Sequence, residues 1–477
     1  MAKPEYDLCV IGGGSAGLVA AAGAATLGAK VALVEKHKMG GDCLNYGCVP
    51  SKALLHSAKV AQTMRKAADA AIEAHAPDVN LEWVMQRVRS VIQTIAPNDS
   101  PERFRSLGVE VIFGAGKFIS RQGFEVSGRM LSARKFIIAT GSRPAVPNIP
   151  GLKEVPYLTN ETVFDLDEPV PRLIVLGGGP IGVELAQAFA RLGSEVHLVN
   201  PQPQILRNED QELAEVVAGR LRSEGVKLHL ETAPVRVEGE ARRLRLLVRQ
   251  ADCAEQWLEG THLLVATGRR ANVENLGLEV AGVEVNHGRI VTDKRLRTAN
   301  HDIYACGDVV GPYQFTHMAE HHAGIALRGA LFHLPALIEE RVIPWCTFTD
   351  PELARVGLSE TEAKARGIDY QTYSFPFHKL DRAITDGETA GLAKIITAPN
   401  GRLLGAAIVG PNGGELIHEY VLALSRNLKV GDLANVIHIY PTLAQINRRV
   451  ANEQLKSKLT PNAKHWMKRL FGLRGSA

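Results

Sequence analysis

The sequence predicts an α/β protein of several domains, and three observations carry that reading. Two glycine-rich turns of one spacing, at 12–17 and 177–182, each lie between a short apolar strand and a helix. The chain has 477 residues, length for about three domains at roughly 100–200 residues each. After Ile343 the pattern changes, with Pro344, Pro351 and Pro376 punctuating β-branched runs that suggest a third, α+β domain. Composition is that of an ordinary globular protein, 45% hydrophobic and 22% charged, which excludes disordered and collagen-like classes. A net charge of +4 is too small to argue for nucleic acid as a partner.

Tyr6–Ile11 reads as a buried strand, followed by a GxGxxG turn, a helix to Leu27 and a second strand, Lys30–Val34, ending at Glu35. In such a βαβ unit Gly12 makes the tight turn, Gly14 lets a pyrophosphate approach the helix N-terminus, and Gly17 lets helix pack on strand. Glu35 stands where a carboxylate binds a ribose hydroxyl pair. Leu8–Ala29 carries no charge and would pass for a membrane span by hydropathy, but its six glycines parse it as strand, turn and helix.

The pattern repeats in Arg172–Leu176, the turn Gly177, Gly179, Gly182, a helix Val183–Leu192 and a strand Glu195–Val199. The expected fold class is therefore α/β with two Rossmann-like dinucleotide-binding domains and a C-terminal α+β domain. Two such folds imply two dinucleotides, a bound flavin and an exchanging nicotinamide. Ile138-Ala139-Thr140-Gly141 and Val265-Ala266-Thr267-Gly268 resemble each other and look like return strands from one nucleotide fold to the next. Glu415–Ser425 reads as a helix of the last domain.

Six cysteines, at 9, 43, 48, 253, 306 and 346, are too few and too scattered for an extracellular disulphide framework and point to a reducing compartment. Cys43 and Cys48 are a redox-pair candidate; a structural zinc site would need four ligands, and no second CxxC or His pair supplies them. Cys48 precedes a helix opened by Pro50 and Ser51, where free N–H groups favour a thiolate. Lys52 follows one turn later on the same side. The plain alternative is two unreactive cysteines beside a surface lysine.

Together, GGDCLNYGCVPSK at 40–52 and IYACGDV at 303–309 resemble the motifs of the FAD-dependent pyridine nucleotide–disulphide oxidoreductases, which include lipoamide dehydrogenase, glutathione reductase and mercuric reductase. The resemblance covers essentially the whole chain and is strongest to the mercuric reductase and lipoamide dehydrogenase branch. It implies a homodimeric enzyme using FAD and NADPH or NADH. The implied domains are FAD-binding at 1–150 and 271–342, NAD(P)-binding at 151–270, and interface or dimerisation at 343–459, with a basic tail at 460–477. It further implies that Cys43 exchanges with substrate, that Cys48 faces the flavin, and that Lys52 pairs with Glu184. Lys36, Gly41, Lys52, Gly116, Thr140, Gly141, Asp308 and Ala319 are expected at the FAD, and Asn200 and Gly268 with the second glycine turn at the nicotinamide cofactor.

The chain departs from this family where a base is expected. Lipoamide dehydrogenase and glutathione reductase carry His-Pro-Thr-x-x-Glu near the C-terminus; this chain has Tyr440-Pro441-Thr442-Leu443-Ala444-Gln445. A phenol of pKa about 10 replaces an imidazole of about 6.5, so Tyr440 occupies a catalytic position as a poor base. His438, two residues upstream, is either a substitute base or a structural histidine. Tyrosine at this position resembles mercuric reductases, yet their vicinal C-terminal cysteines are missing, and no metal site is expected. No acid stands at Asn200 to repel a 2′-phosphate, and Arg207 is nearby, which leans toward NADPH. Cys306 reads as a packing cysteine.

From Arg448 on, the sequence has eight Lys or Arg and one acid, Glu453, which leaves the rest of the chain slightly acidic. Thr460-Pro461 and Gly472 bracket a helix whose Ala463, Trp466, Met467, Leu470 and Phe471 share one side. This basic amphipathic segment, 460–472, either packs on its own dimer or makes a weak membrane-surface contact. The expected function is electron transfer from NAD(P)H through FAD and Cys43–Cys48 to a disulphide or other small-molecule acceptor, in the cytoplasm or peripherally on the membrane. Alternatives are a dihydrolipoyl dehydrogenase, against which the missing dyad speaks, and a peripheral membrane NAD(P)H:quinone reductase.

Overall fold

The computed structural model of the chain describes residues 3–475. The chain divides into two compact units: one comprises the chain up to Ala58, Asp78–Val199 and Ala233–Glu339, the other Lys59–Pro77, Asn200–Thr232 and the chain from Glu340. Both glycine turns belong to the first unit.

In that unit β1 (Tyr6–Ile11), α1 (Ser15–Thr26) and β2 (Val31–Glu35) form the first βαβ element. β1 pairs in parallel with β2, Leu8 opposite Val31. The sheet continues through β3 (Val109–Phe113) on one side. On the other side stands β6 (Arg129–Ile138), with the hairpin strands β4 (Gly116–Phe118) and β5 (Gly123–Val126) beyond it. Ile303–Ala305 joins β6 in parallel. Continuous Val, Leu and Ile in β1 and β2 follow from burial on both faces of a parallel sheet. One face packs on α1 and the helix Thr316–Phe332, including Ala20, Ala24 and Ala323; the other packs on Phe118, Phe124 and Phe136. Alanine and glycine on α1 permit a close approach: a Cβ on Gly23 would lie 2.9 Å from Leu327 Cδ2.

The second βαβ element pairs β8 (Arg172–Leu176) in parallel with β9 (Glu195–Val199) and with His262–Val265. Its helix runs Pro180–Arg191, three residues earlier than the sequence suggested, because Pro180 suits the first helical turn. Between the two folds a short antiparallel ladder joins β7 (Ser142–Pro144) to Arg269–Ala271, with Ser142 opposite Ala271. The two Thr-Gly turns of the sequence stand at opposite ends of this ladder, Asn272 N bonding to the Gly141 oxygen and Ala145 N to the Gly268 oxygen.

The other unit is built on a five-stranded antiparallel sheet in the order Pro344–Thr347, Glu352–Gly357, Leu403–Gly410, Leu392–Thr397, Gln371–Pro376. Ile395, Ile408, Tyr420 and Val450 are fully buried in its core. The helix expected over Glu415–Ser425 is divided into Gly413–Leu416 and His418–Ser425.

Candidate active site

Backbone rather than side chains shapes the cradle at the first glycine-rich turn. Gly12 has φ +110°, and a Cβ there would lie 2.3 Å from the Ala139 carbonyl oxygen; one on Gly17 would lie 1.8 Å from the Gly12 oxygen. Gly41, at φ +57°, approaches Gly14 so closely that its Cβ would come within 2.6 Å of the Gly14 Cα. Two stretches of chain are thus pressed together backbone to backbone at the N-terminus of α1, where free N–H groups collect positive potential. Glu35 is buried, and its carboxylate accepts from Gly13 N and His37 N, each at 2.7 Å. These bonds hold both oxygens in place for a diol. Such a cradle fits the pyrophosphate and ribose of a dinucleotide.

The second cradle repeats the construction. Gly177 has φ +111° with the Ala266 oxygen 2.4 Å from where a Cβ would stand, and a Cβ on Gly182 would lie 2.0 Å from the Gly177 oxygen. Gly179 has open space beside it. Gly268 (φ +128°) and Gly141 (φ +67°) are the equivalent bends in the two return turns, both open to space. Thr140 donates its hydroxyl to the Asn272 oxygen at 2.7 Å.

Cys43 lies in the short helix α2 (Gly41–Asn45), and Cys48 is the first residue of α3 (Cys48–Arg65). The sequence had placed Cys48 before a helix beginning at Pro50; the helix instead starts on the cysteine, since proline is tolerated in a first turn. The interaction of the two thiols with each other lowers the Cys48 pKa to about 6 and raises that of Cys43. Burial, which opposes ionisation, adds to the rise at Cys43. The Thr316 hydroxyl lies 3.4 Å from Cys48 Sγ and favours the thiolate, as does the charge of Lys52. Lys52 Nζ is 2.9 Å from Glu184 Oε2, on the helix of the second glycine turn; that carboxylate side chain is only 7% exposed.

A second network joins the dithiol turn to Asp308. Burial pushes the Asp308 carboxyl up, and its Oδ2 accepts from the Ser142 hydroxyl at 2.5 Å. Arg269 donates from Nε to that same hydroxyl at 2.8 Å and from Nη2 to the Ser142 oxygen at 3.1 Å. The same Nη2 stands 3.1 Å from Asp42 Oδ1, which also accepts from Asn160 Nδ2 at 3.1 Å. Asp42 directly precedes Cys43, and its charge disfavours ionisation of both sulphurs.

Lys36 is exposed beside Glu35. Gly116 has a packing reason to be glycine, because the Phe124 ring comes within 2.2 Å of where its Cβ would be. Ala319 is buried on the helix Thr316–Phe332. Asn200 and Tyr440 belong to the other unit. Asn200 turns its amide into its own loop, donating to the Gln202 and Gln204 oxygens at 3.3 and 2.8 Å, and Arg207 is exposed.

Tyr440 is 63% exposed, and its phenol donates to Asp381 Oδ2 at 3.1 Å. That carboxylate pushes the phenol pKa up, so the hydroxyl is a still poorer base than an ordinary tyrosine. His438 has both ring nitrogens engaged within its own unit: Nδ1 lies 3.1 Å from the Val436 oxygen and Nε2 3.1 Å from Glu419 Oε1. Glu419 is in turn held by Asn447 Nδ2 at 2.8 Å. Cys306 is fully buried, and burial pushes its thiol up to about 12, as befits a packing residue.

Sequence reasoning missed Thr316, Ser142, Arg269, Asp42 and Asn160. A signal existed for two of them: Ser142 and Arg269 follow the two Thr-Gly turns at the same offset, and the ladder between those turns puts them in contact. Thr316, Asp42 and Asn160 are recognisable only once distant segments are brought together.

The pyridine nucleotide-disulphide oxidoreductase family model matches residues 6–323, and the dimerisation domain of that family matches 343–450. The chain is 36% identical over 445 residues to a mercuric reductase of Bacillus cereus, covering 92% of this chain and 70% of the relative. It is 37% identical over 448 residues to a dihydrolipoyl dehydrogenase of Chlamydia trachomatis serovar D, covering 92% and 95%. Among solved structures it is similar to a Cu(II) complex of a mutant of the HOCl-induced flavoprotein disulfide reductase RclA from Escherichia coli. That likeness has a TM-score of 0.85 at 28% identity and covers 94% of this chain and 99% of the other.

Proposed function

Because the chain belongs to the pyridine nucleotide-disulphide oxidoreductase family, NAD(P)H-dependent flavoproteins that use FAD, we propose that its Cys43–Cys48 pair delivers electrons to a disulphide or another small-molecule acceptor. FAD, when bound, supplies the two-electron chemistry that connects a nicotinamide to a dithiol. The glycine cradles at 12–17 and 177–182 would hold the two pyrophosphates, and Glu35 would hold a ribose. Glu184 orients Lys52, whose charge, with the Thr316 hydroxyl, keeps the Cys48 sulphur ionised. The five-part domain division of the sequence is retained as part of this reading, as is a homodimer formed through the dimerisation domain at 343–450.

With a disulphide acceptor, the Cys43 sulphur attacks one acceptor sulphur and the other leaves as a thiolate. The Cys48 sulphur then attacks Cys43 in the mixed disulphide, forming the Cys43–Cys48 bond and releasing the second thiol. Cys43 must lose its proton in the first step. Tyr440 is a neutral phenol at pH 7, and His438 is committed to Glu419 and Val436. The Cys48 thiolate, whose interaction with Cys43 leads the shifts at both sulphurs, takes that proton and passes it to the departing acceptor thiolate, so that Cys48 is ionised again when it attacks Cys43. This arrangement argues against a dihydrolipoyl dehydrogenase, whose dithiol substrate needs an efficient base.

The observation that carries the proposal is the Thr316 hydroxyl 3.4 Å from Cys48 Sγ, in a Cys43–Cys48 turn flanked by the Lys52–Glu184 pair and a backbone-walled cradle. Steady-state assays of the flavin-loaded protein with lipoamide, glutathione disulphide, mercuric ion and a quinone, each with NADH and NADPH, test it. Turnover with at least one acceptor that stops in Cys43→Ser supports the reading, with NADPH preferred because Asn200, not an acid, follows the strand that ends the second βαβ unit. Turnover of every acceptor that survives in Cys43→Ser overturns it and favours direct flavin chemistry, as in a quinone reductase. Oxidation of neither nicotinamide with any acceptor removes the enzymatic reading. A cytoplasmic location, free or peripheral on the membrane, belongs to the same reading and rests on the few, scattered cysteines; among the described residues no helix is long and apolar enough to cross a membrane.

A further inference from the structure

The tail is a capped helix whose apolar side is open at Trp466, Leu470 and Phe471. Pro461–Phe471 is capped at both ends: Thr460 Oγ1 accepts from Ala463 N at 3.2 Å, and Gly472, at φ +61°, ends the helix as Leu473 N bonds back to the Lys468 oxygen. Such caps stabilise a helix that has little tertiary support. None of its residues is buried. Trp466 is 66% exposed, Leu470 75% and Phe471 68%. The preceding helix, Gln445–Ser457, instead buries Ile446, Val450 and Ala451 in the core.

Charge lies along both borders of the apolar side. At 100° per residue, Ala463, Trp466, Met467, Leu470 and Phe471 span an arc of roughly 140°. Lys464 and Lys468 flank one edge and Arg469 the other, with the Arg469 guanidinium 6.0 Å from the Trp466 ring. No acidic residue lies between Leu455 and Ala477, whereas the chain before Arg448 is slightly acidic. The helix lies beyond residue 450, where the match to the dimerisation domain ends.

We propose that the helix Pro461–Phe471 docks the protein on an anionic lipid surface. A surface that accepts Trp466, Leu470 and Phe471 while meeting Lys464, Lys468 and Arg469 must be apolar below and negative above, which describes acyl chains under anionic headgroups. A second copy fits less well, because it would set two cationic helices against each other or against a body with little negative charge. Two tails on one dimer would add avidity, since the second helix binds from an effective concentration set by the first.

Co-sedimentation of the flavin-loaded, full-length protein with phosphatidylcholine vesicles, with and without phosphatidylglycerol, tests this. The expected result is about tenfold or greater enrichment on the anionic vesicles, lost at high salt and lost in both Leu470→Gln/Phe471→Gln and Lys464→Glu/Lys468→Glu. Equal partitioning of the unsubstituted protein onto both vesicles, or onto neither, overturns the proposal. So does binding that persists in Leu470→Gln/Phe471→Gln, which would be adsorption by charge alone. A smaller lipid-free mass for Leu470→Gln/Phe471→Gln in analytical ultracentrifugation would also overturn it, by assigning the helix to contacts between copies. Vesicle binding is read without any acceptor, so this proposal and the redox function fail separately.

Discussion

Asp42 and Arg269 form an ion pair at 3.1 Å, and through Ser142 the same guanidinium reaches the hydroxyl that donates to Asp308. The residue before Cys43 is therefore tied through Arg269 and Ser142 to Asp308. Asp42 also bears a negative charge that disfavours a thiolate at either cysteine. Substituting Asp42→Asn removes that charge and leaves an amide able to hydrogen-bond. The alkylation profile of the reduced enzyme is expected to move to lower pH by a few tenths of a unit to about one unit. Iodoacetamide rates across a pH series check it; an unchanged or upward-shifted profile would show that Asp42 acts on the turn's position alone.

The Cys48 thiol, lowered to about 6, sets a pH window. A depressed thiol pKa means the thiolate persists as pH falls from 9 until about 6 and is lost below. Single alkylation of the reduced protein is expected to keep most of its rate at pH 7 and to halve near pH 6. Thr316→Val and Lys52→Met each remove support for the thiolate and move that midpoint upward, while Cys306, fully buried and raised to about 12, stays unlabelled. A midpoint near 9 in the unsubstituted protein would contradict this charge arrangement.

The two glycine cradles predict separable defects. A methyl at Gly17 would meet the Gly12 oxygen at 1.8 Å, and one at Gly182 would meet the Gly177 oxygen at 2.0 Å; overpacking of this kind costs about 1–3 kcal/mol where the backbone must shift. Gly17→Ala should purify with little bound flavin, read from the visible absorbance ratio. Gly182→Ala should keep its flavin and show a KM for NAD(P)H raised about tenfold or more. If Gly182→Ala loses flavin as readily as Gly17→Ala, the assignment of the two cradles is wrong.

Tyr440 is expected to matter little for proton transfer, because Asp381 holds its phenol neutral. Tyr440→Phe should change the rate with a disulphide acceptor by less than about threefold, well short of the 10²–10⁴-fold usual for a lost general base. A loss of that larger size, with its pH dependence, would instead make the phenol a working acid or base.

Much of the molecule is legible before folding. GxGxxG at 12–17 and 177–182, the acid at Glu35 and the dithiol beside Pro50 are local patterns, because a tight turn, a helix N-terminus and a strand end are each built from a few consecutive residues. Their failures were also local: Pro180 and Pro50 fall inside first helical turns, so both helices start earlier than expected. His438 shows the limit of such reading. Its spacing from Tyr440 left it open as a base, and only Glu419 and Val436, brought to its two nitrogens, reveal how the ring is used.

The sequence alone was enough to locate two glycine-rich turns at helix N-termini, a pair of neighbouring cysteines and a cationic amphipathic tail, since each depends on spacing along the chain. Tertiary structure decided the electrostatics of the pair. Thr316 on Cys48, Glu184 on Lys52, and Arg269 shared by Asp42 and Ser142 are contacts between segments more than a hundred residues apart. Charges act through distance in space, which residue spacing does not encode.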